Sequence, residues 1–401
     1  MKKRFFLFLI LITGVILYSF TSAGNLPKRI KKVVEGIEQK YVPDKRNAVF
    51  DLEIKKKRKK LILNGFTSVP EAKTELISTF LSINRKYKIV DNFRVLPDSS
   101  LGENVYGVVN LSVANLRRKV SFASEMMTQA LLGTPVKILQ EEEWYRVQTP
   151  DSYVSWVNSS SIYPMTKNEF NAWNAADKIV VTSHYGFTYE NPDVNSQTVS
   201  DVVSGNMLKL EGTEGEFYKV SYPDGRMAYL LKSAGMPESK WINRDTLSAS
   251  SIITTGKTLM GVPYLWGGMS AKGLDCSGFV RTVMFLNGII LPRDASQMVN
   301  VGEKIDMSNG FGNLKPGDLL FFGKKATPEQ KERIIHVAIY LGNQKFIHSQ
   351  GYVHISSFNP EDKEFDKYNL NRLVSAVRIL GHLESAGIST IKTNPFYQPQ
   401  L

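Results

Sequence analysis

The stretch Asp275-Cys276-Ser277-Gly278-Phe279-Val280-Arg281-Thr282-Val283-Met284-Phe285-Leu286 decides how the C-terminal part of this chain is read. Phe279, Val280, Val283, Met284 and Leu286 fall on one helical face, and Asp275 is a good N-cap, so the spacing predicts a helix from the cysteine to about Gly288. Cys276 then sits in the first turn, where unsatisfied amides and the positive end of the helix dipole favour a thiolate. It is the only cysteine of the 401 residues. A buried, inert thiol is the alternative, since free cysteine is among the most buried residue types.

Working outward, a helical pattern over 252–260 runs into Gly261-Val262-Pro263-Tyr264-Leu265-Trp266-Gly267-Gly268, too rich in Gly and Pro for an element interior. Strands are expected at 318–322, 336–341, 345–349 and 352–356. One helix packed on an antiparallel sheet is an α+β plan.

The N-terminus explains why a lone cysteine matters. Lys2, Lys3 and Arg4 precede an apolar run to Tyr18, and Thr21-Ser22-Ala23 supplies small residues, which reads as a signal peptide over 1–23. An uncleaved membrane anchor is the alternative. No cysteine lies near the cleavage region, so a lipoprotein is not expected, and no later segment has the roughly 20 apolar residues of a membrane helix. The expectation is an exported, periplasmic or extracellular protein without stable membrane insertion. Exported chains usually pair their cysteines, so a single thiol points to reactivity.

Length and 42% hydrophobic content allow several domains. Removing Lys2, Lys3 and Arg4 takes the formal charge from +12 to +9, compatible with attraction to anionic polymers. The densest basic run, 55–60, reads as a solvated hairpin, and no nucleic-acid motif surrounds it. Residues 24–87 form a small α+β region whose chemistry is silent.

Two β segments repeat each other. Trp144-Tyr145-Arg146-Val147, Pro150-Asp151 and Trp156 align at a 73-residue offset with Phe217-Tyr218-Lys219-Val220, Pro223-Asp224 and Tyr229. Each copy reads as a hairpin inside a small barrel, one over 88–165 and one over 178–244. They resemble tandem bacterial SH3-like domains, the first copy more clearly. A polar Ser/Thr-rich linker at 240–251 leads to the domain at 250–385, and 386–401 is read as a tail.

A cysteine nucleophile needs a base, and the base needs an orienting group. Of five histidines, two flank one hairpin. If Gly342-Asn343-Gln344 is the loop, His348 sits opposite Ala338, with His336 its diagonal neighbour on the same face. A one-residue slip would separate them.

Six ordered motifs now stand together: 263–268, 275–280, Leu291-Pro292-Arg293-Asp294-Ala295-Ser296-Gln297, Leu314-Lys315-Pro316-Gly317-Asp318-Leu319, the strand beginning His336-Val337-Ala338-Ile339-Tyr340, and Phe346-Ile347-His348-Ser349. They resemble the NlpC/P60 cysteine peptidases over about 135 C-terminal residues, with a papain-like layout. With SH3-like repeats ahead, the whole is similar to secreted γ-D-glutamyl-L-diamino acid endopeptidases. The resemblance implies Cys276 as nucleophile, His336 as general base and His348 as its orienting residue, with no metal or organic cofactor. It implies that Tyr264 points its hydroxyl at the reacting centre or the oxyanion, that Asp275, Ser277 and Asp294 contact the peptide, that Trp266 walls the cleft, and that Arg293 holds the loop. It further implies that the first SH3-like module reads the free amine of L-Ala through a carboxylate and a tyrosine. Glu125 and Tyr153 are the candidates, with Glu141, Glu142 and Glu143 as alternatives to Glu125.

The implied partners are peptidoglycan stem peptides of the form L-Ala-γ-D-Glu-diamino acid. A hydrolase acting on glycan-attached stems, with the SH3-like modules as wall anchors, is the nearest rival. A non-catalytic wall-binding protein and a related amidase are others. Whether the third residue is diaminopimelate or Lys stays open.

Overall fold

The computed structural model describes residues 28–83, 87–242 and 247–400, so the export signal read at 1–23 lies outside the described residues. The chain forms two compact units, one of residues up to Lys45 with Val49–Val95, the other of Arg46–Ala48 with Leu96–Leu401. In the first, Phe50–Lys57 and Lys60–Thr67 form an antiparallel hairpin, and Lys88–Val95 pairs in parallel with the second strand. Parallel neighbours need a crossover, which the helix Pro70–Ile83 supplies while burying Ala72, Leu76 and Phe80. Residues 88–95, read from sequence as the start of the first barrel, are therefore the third strand of this sheet. The basic run occupies the exposed tip of the hairpin, where Arg58 takes a φ of 53°.

The second unit is α+β, as the sequence predicts. Two antiparallel seven-stranded sheets come first. The Pro-Asp turns join Trp144–Gln148 to Val154–Asn158 in one and Phe217–Ser221 to Met227–Leu231 in the other. The repeat is a packing repeat. Val136, Val147 and Val157 fill one core, and Leu208, Val220 and Leu230 fill the other from the equivalent positions.

The C-terminal region holds a six-stranded antiparallel sheet in the order Glu303–Ile305, Leu373–Arg378, Leu319–Lys324, Arg333–Gly342, Lys345–Gln350 and Tyr352–Ser357. Alternation assigns its two faces. Leu319, Phe321, Val337, Ile339 and Ile347 pack with Phe279, Val280, Val283 and Met284 of the helix Cys276–Leu286. Leu320, Phe322, Ala338, Tyr340 and Phe346 fill a second core.

The histidine hairpin reaches the expected register by an unexpected route. The turn holds only Asn343 and Gln344, with φ of 49° and 60°. A loop one residue shorter would slip the register, but the pairing shifts between Tyr340 and Gly342, leaving Leu341 as a bulge that restores it. Ile339 therefore faces Ile347, which sets His348 across from Ala338.

Residues 386–400, read from sequence as part of a tail, are built into the fold. Ser389–Thr390 pairs with Ile289–Ile290, Phe396 and Ile391 are buried, and Asn394 donates to the Pro150 carbonyl in the first barrel. Among the described residues no helix is long and apolar enough to cross a membrane.

Candidate active site

Asp275 caps the helix as its position requires: Oδ1 accepts from the Gly278 N–H at 2.6 Å, one turn on. Gly278 has to be glycine, because a Cβ there would lie 1.9 Å from the Gly268 carbonyl oxygen. This close approach sets the loop 263–268 against the helix start. Cys276, the first helical residue, is 9% exposed. Backbone N–H groups of Val337 and Ser277 reach its sulfur.

Burial nevertheless dominates the thiol. It pushes the pKa up to about 12, helped by the Asp275 charge, while the Val337 and Ser277 amides and Arg293 pull it back only in part. The expectation that the helix start holds a thiolate is therefore corrected. At this burial the resting sulfur is protonated, because desolvation outweighs the Val337 and Ser277 amides and Arg293.

A chain of imidazoles starts at His336, the residue before the Val337 whose N–H reaches the sulfur. His336 Nε2 is 2.8 Å from His348 Nδ1, and His348 Nε2 is 3.1 Å from both His354 Nε2 and Ser356 Oγ. His354 Nδ1 is 2.9 Å from the Tyr352 carbonyl, which can only accept. With all three rings neutral, that backbone oxygen sets the order of tautomers along the chain. His354 carries its proton on Nδ1 and accepts at Nε2, His348 donates from Nε2 and accepts at Nδ1, and His336 donates from Nε2. The lone pair of His336 is left on Nδ1, the arrangement of a base. Burial, then repulsion from His348, holds His336 well below the usual imidazole range, and burial with repulsion from His354 takes His348 to about 3. Both rings are neutral at physiological pH.

A bulge also shapes this strand. Phe322 pairs with His336 but Gly323 with Ile334, so Ile335 is extruded and half exposed just before the catalytic candidate. Gly323 permits it, since a Cβ there would meet the Arg333 carbonyl oxygen at 1.9 Å.

Tyr264 lies within electrostatic reach of Cys276 and Asp275. Burial, and then the neighbouring Cys276 and Asp275, raise its hydroxyl well above the ordinary phenol range, so it stays a donor.

Asp275 and Ser277, expected to contact the peptide, also have a scaffolding task. Arg293, 1% exposed, donates Nη2 to Asp275 Oδ2 at 2.5 Å, Nη1 to Asp275 Oδ1 at 3.2 Å and to Ser277 Oγ at 2.8 Å, and Nε to Thr128 Oγ1 at 2.8 Å. Gly267 N–H also donates to Asp275 Oδ2. With the cap, Asp275 accepts from Gly267, Gly278, Ser277 and Arg293, which makes it scaffold. Arg293 holds far more than its own loop: it ties the helix start to the first barrel. A second bond across the same junction runs from Met269 N–H to Gln129 Oε1.

The two expected amine readers have different partners. Tyr153 is buried, and its hydroxyl faces Asp294 Oδ2 at 3.4 Å. Glu125 instead accepts from the Trp266 indole at 3.2 Å and pairs with Arg118 at 2.8 Å. Trp266 is 62% exposed. Glu125 is an exposed side chain with two donors already on it. Glu141, Glu142 and Glu143 are exposed on a hairpin tip. Of these carboxylates, Asp294 is the one on Tyr153.

The sequence reading did not select His354 or Arg46. His354 was visible as a third histidine inside the strand expected at 352–356. Arg46 carried no signal, since its partner Asp294 is 248 positions away.

The model of the NlpC/P60 family matches residues 261–374, and that of the bacterial dipeptidyl-peptidase Sh3 domain matches 116–162. A γ-D-glutamyl-L-lysine dipeptidyl-peptidase of Bacillus cereus (strain ATCC 10987 / NRS 248) is 31% identical over 236 residues, 57% of this chain and 68% of that protein. Its namesake from Bacillus subtilis (strain 168) is 30% identical, covering 56% and 72%. The chain belongs to the NlpC/P60 family. A crystal structure of an NlpC/P60 family protein from Bacillus cereus ATCC 10987 superposes with a TM-score of 0.58 at 25% identity, over 68% of this chain and 99% of that one. This NlpC/P60 protein is a cysteine peptidase with an SH3-like domain ahead of the peptidase domain.

Proposed function

We propose that this peptidase is a peptidoglycan peptide hydrolase that cuts the γ-D-glutamyl to diamino acid bond of stem peptides with a free N-terminal L-Ala. The observation that carries the reading is the fixed tautomer chain, which leaves a base lone pair on His336 beside a lone thiol at a helix start. The names of the two Bacillus relatives support the choice of bond.

In this reading the thiol proton passes to His336 Nδ1 as sulfur attacks the γ-carbonyl carbon. The carbonyl π pair moves to oxygen, where the Cys276 N–H, an orphan donor at the helix start, receives the negative charge. Collapse breaks the C–N bond and expels the diamino acid amine with the proton from His336. Water then gives its proton to His336 and its oxygen to the thioester carbon, the C–S bond breaks, and the proton returns to sulfur. His348 keeps His336 Nε2–H directed throughout. The apolar N-terminal run, read as an export signal, would bring the enzyme to where such peptides occur.

The amine requirement has a direct test. Acetylating L-Ala removes a cation that the Asp294–Tyr153 end is suited to pair, so kcat/KM should fall at least roughly 100-fold against the free tripeptide. Equal rates would remove the amine-reading role. Comparing free stems with intact sacculi separates this reading from the wall-degrading alternative.

His354 acts as a positioning residue in this scheme. Its substitution by Ala removes both the acceptor for His348 and a repulsion that lowers His336 and His348. With that repulsion gone the His336 pKa rises, so the acid limb of kcat/KM should move to higher pH, with kcat down about tenfold. An acid limb that stays in place or moves down would show that His354 only packs.

A further inference from the structure

The residues Arg46–Ala48 belong to the C-terminal unit, although the chain before Arg46 and after Ala48 belongs to the N-terminal one. The segment is stitched down at both sides of one spot. The Arg46 carbonyl accepts from Val154 N–H at 2.7 Å, beside Tyr153, and the Asn47 carbonyl accepts from Gln148 Nε2 at 3.0 Å. On the peptidase side, Asn47 Oδ1 accepts from Gln297 Nε2 at 3.0 Å. These bonds hold the Arg46 side chain over Asp294. Arg46 Nη1 is 2.8 Å from Asp294 Oδ2 and 2.9 Å from Ser296 Oγ.

Three oxygens therefore converge here: Asp294 Oδ2, Ser296 Oγ and the Tyr153 hydroxyl. A carboxylate with two hydroxyls suits a cation with several N–H donors, and a cation is what occupies it. Arg293, whose guanidinium lies on Asp275 next to the nucleophile, is within electrostatic reach of both Asp294 and Tyr153, which sets this spot near the helix start.

We propose that Arg46 is a specificity-determining residue that occupies the ammonium subsite of the enzyme, so that a substrate's N-terminal amine must displace it from Asp294. The inference rests on the amine reading given above. A guanidinium tethered by its own backbone competes at high effective concentration, and the apparent affinity for the incoming amine falls by the fraction of time the subsite is taken. Displacement is feasible because the two side chains are 33% and 28% exposed, and ion pairs of that exposure are weak. A peptide lacking the cation has nothing to compete for, so Arg46 raises KM for free-amine peptides alone. A purely structural clamp would weaken both peptides alike when removed.

The test uses the full chain and two peptides, L-Ala-γ-D-Glu-L-Lys and its N-acetyl form. Arg46→Ala should lower KM for the free-amine peptide about fivefold and raise the free-to-acetylated ratio of kcat/KM by the same factor. Arg46→Lys keeps a cation on a shorter arm and should leave that ratio within about threefold of wild type. In an Asp294→Asn background, Arg46→Ala should no longer change the ratio. A ratio that is unmoved or falls in Arg46→Ala overturns the proposal. Calorimetric titration of the dipeptide L-Ala-γ-D-Glu gives the comparison without turnover. Tighter binding to Arg46→Ala than to wild type supports competition, and equal binding overturns it. If the binding difference is found in a protein that cuts neither peptide, the hydrolytic reading fails while the occupied subsite stands.

Discussion

Cys276→Ala should lower kcat on the free tripeptide by at least roughly 10⁴-fold, and His336→Ala by a comparable factor, because neither group completes the thioester step alone. The double variant should lose little more than either single one. Groups that act as one unit are non-additive, so multiplied losses would show that they work separately. The expected mechanism is general-base activation in place of a resting ion pair. The buried thiol is pushed up to about 12 and His336 is held low, so the proton moves only as sulfur attacks. Single-turnover kinetics on the tripeptide, with melting curves to show that both variants fold, measure this. More than about 1% residual activity in either variant would remove that residue from the assigned role.

The second large effect concerns stability. Arg293→Met should destabilise the protein by about 3–5 kcal/mol, because it leaves the Asp275 carboxylate buried without its countercharge. It also removes the bond to Thr128 that joins the helix start to the first barrel. Burial alone would lower the guanidinium pKa, but Asp275, by charge and by hydrogen bond, outweighs it and raises it. Asp275→Asn should be damaging too. The double variant Arg293→Met, Asp275→Asn should be milder than the sum of the singles, since no unpaired charge remains. The loss would appear as a melting midpoint several degrees lower. A shift equivalent to less than about 1 kcal/mol would mean that water or another group compensates Asp275.

Some of this site was legible because it depends on short-range pattern. Asp275, Gly278 and the apolar stripe of the helix lie within a dozen residues, and capping with 3.6-residue periodicity is a local rule. The histidine pairing depended on one hairpin, and alternation along two adjacent strands decided it. Even there the detail escaped: a two-residue turn with a bulge at Leu341 gives the same facing as a three-residue loop, and the residues do not distinguish the two.

The rest was hidden by sequence distance. Arg293 meets Thr128 165 positions away, and Arg46 meets Asp294 across 248. No periodicity connects such partners, and an arginine reads the same whether it faces water or closes a buried network. The strand 88–95 was assigned to the wrong neighbour for the same reason, since a strand's own pattern shows that it pairs but not with which sheet.

By itself, then, the sequence determined the elements around Cys276, the repeated barrels and the facing of His336 and His348, because each follows from local periodicity and turn chemistry. Tertiary structure alone decided the protonation of the thiol, the tautomers of the histidine chain and the occupant of Asp294. Those depend on desolvation and on which polar atoms meet, and only the folded chain brings these atoms together.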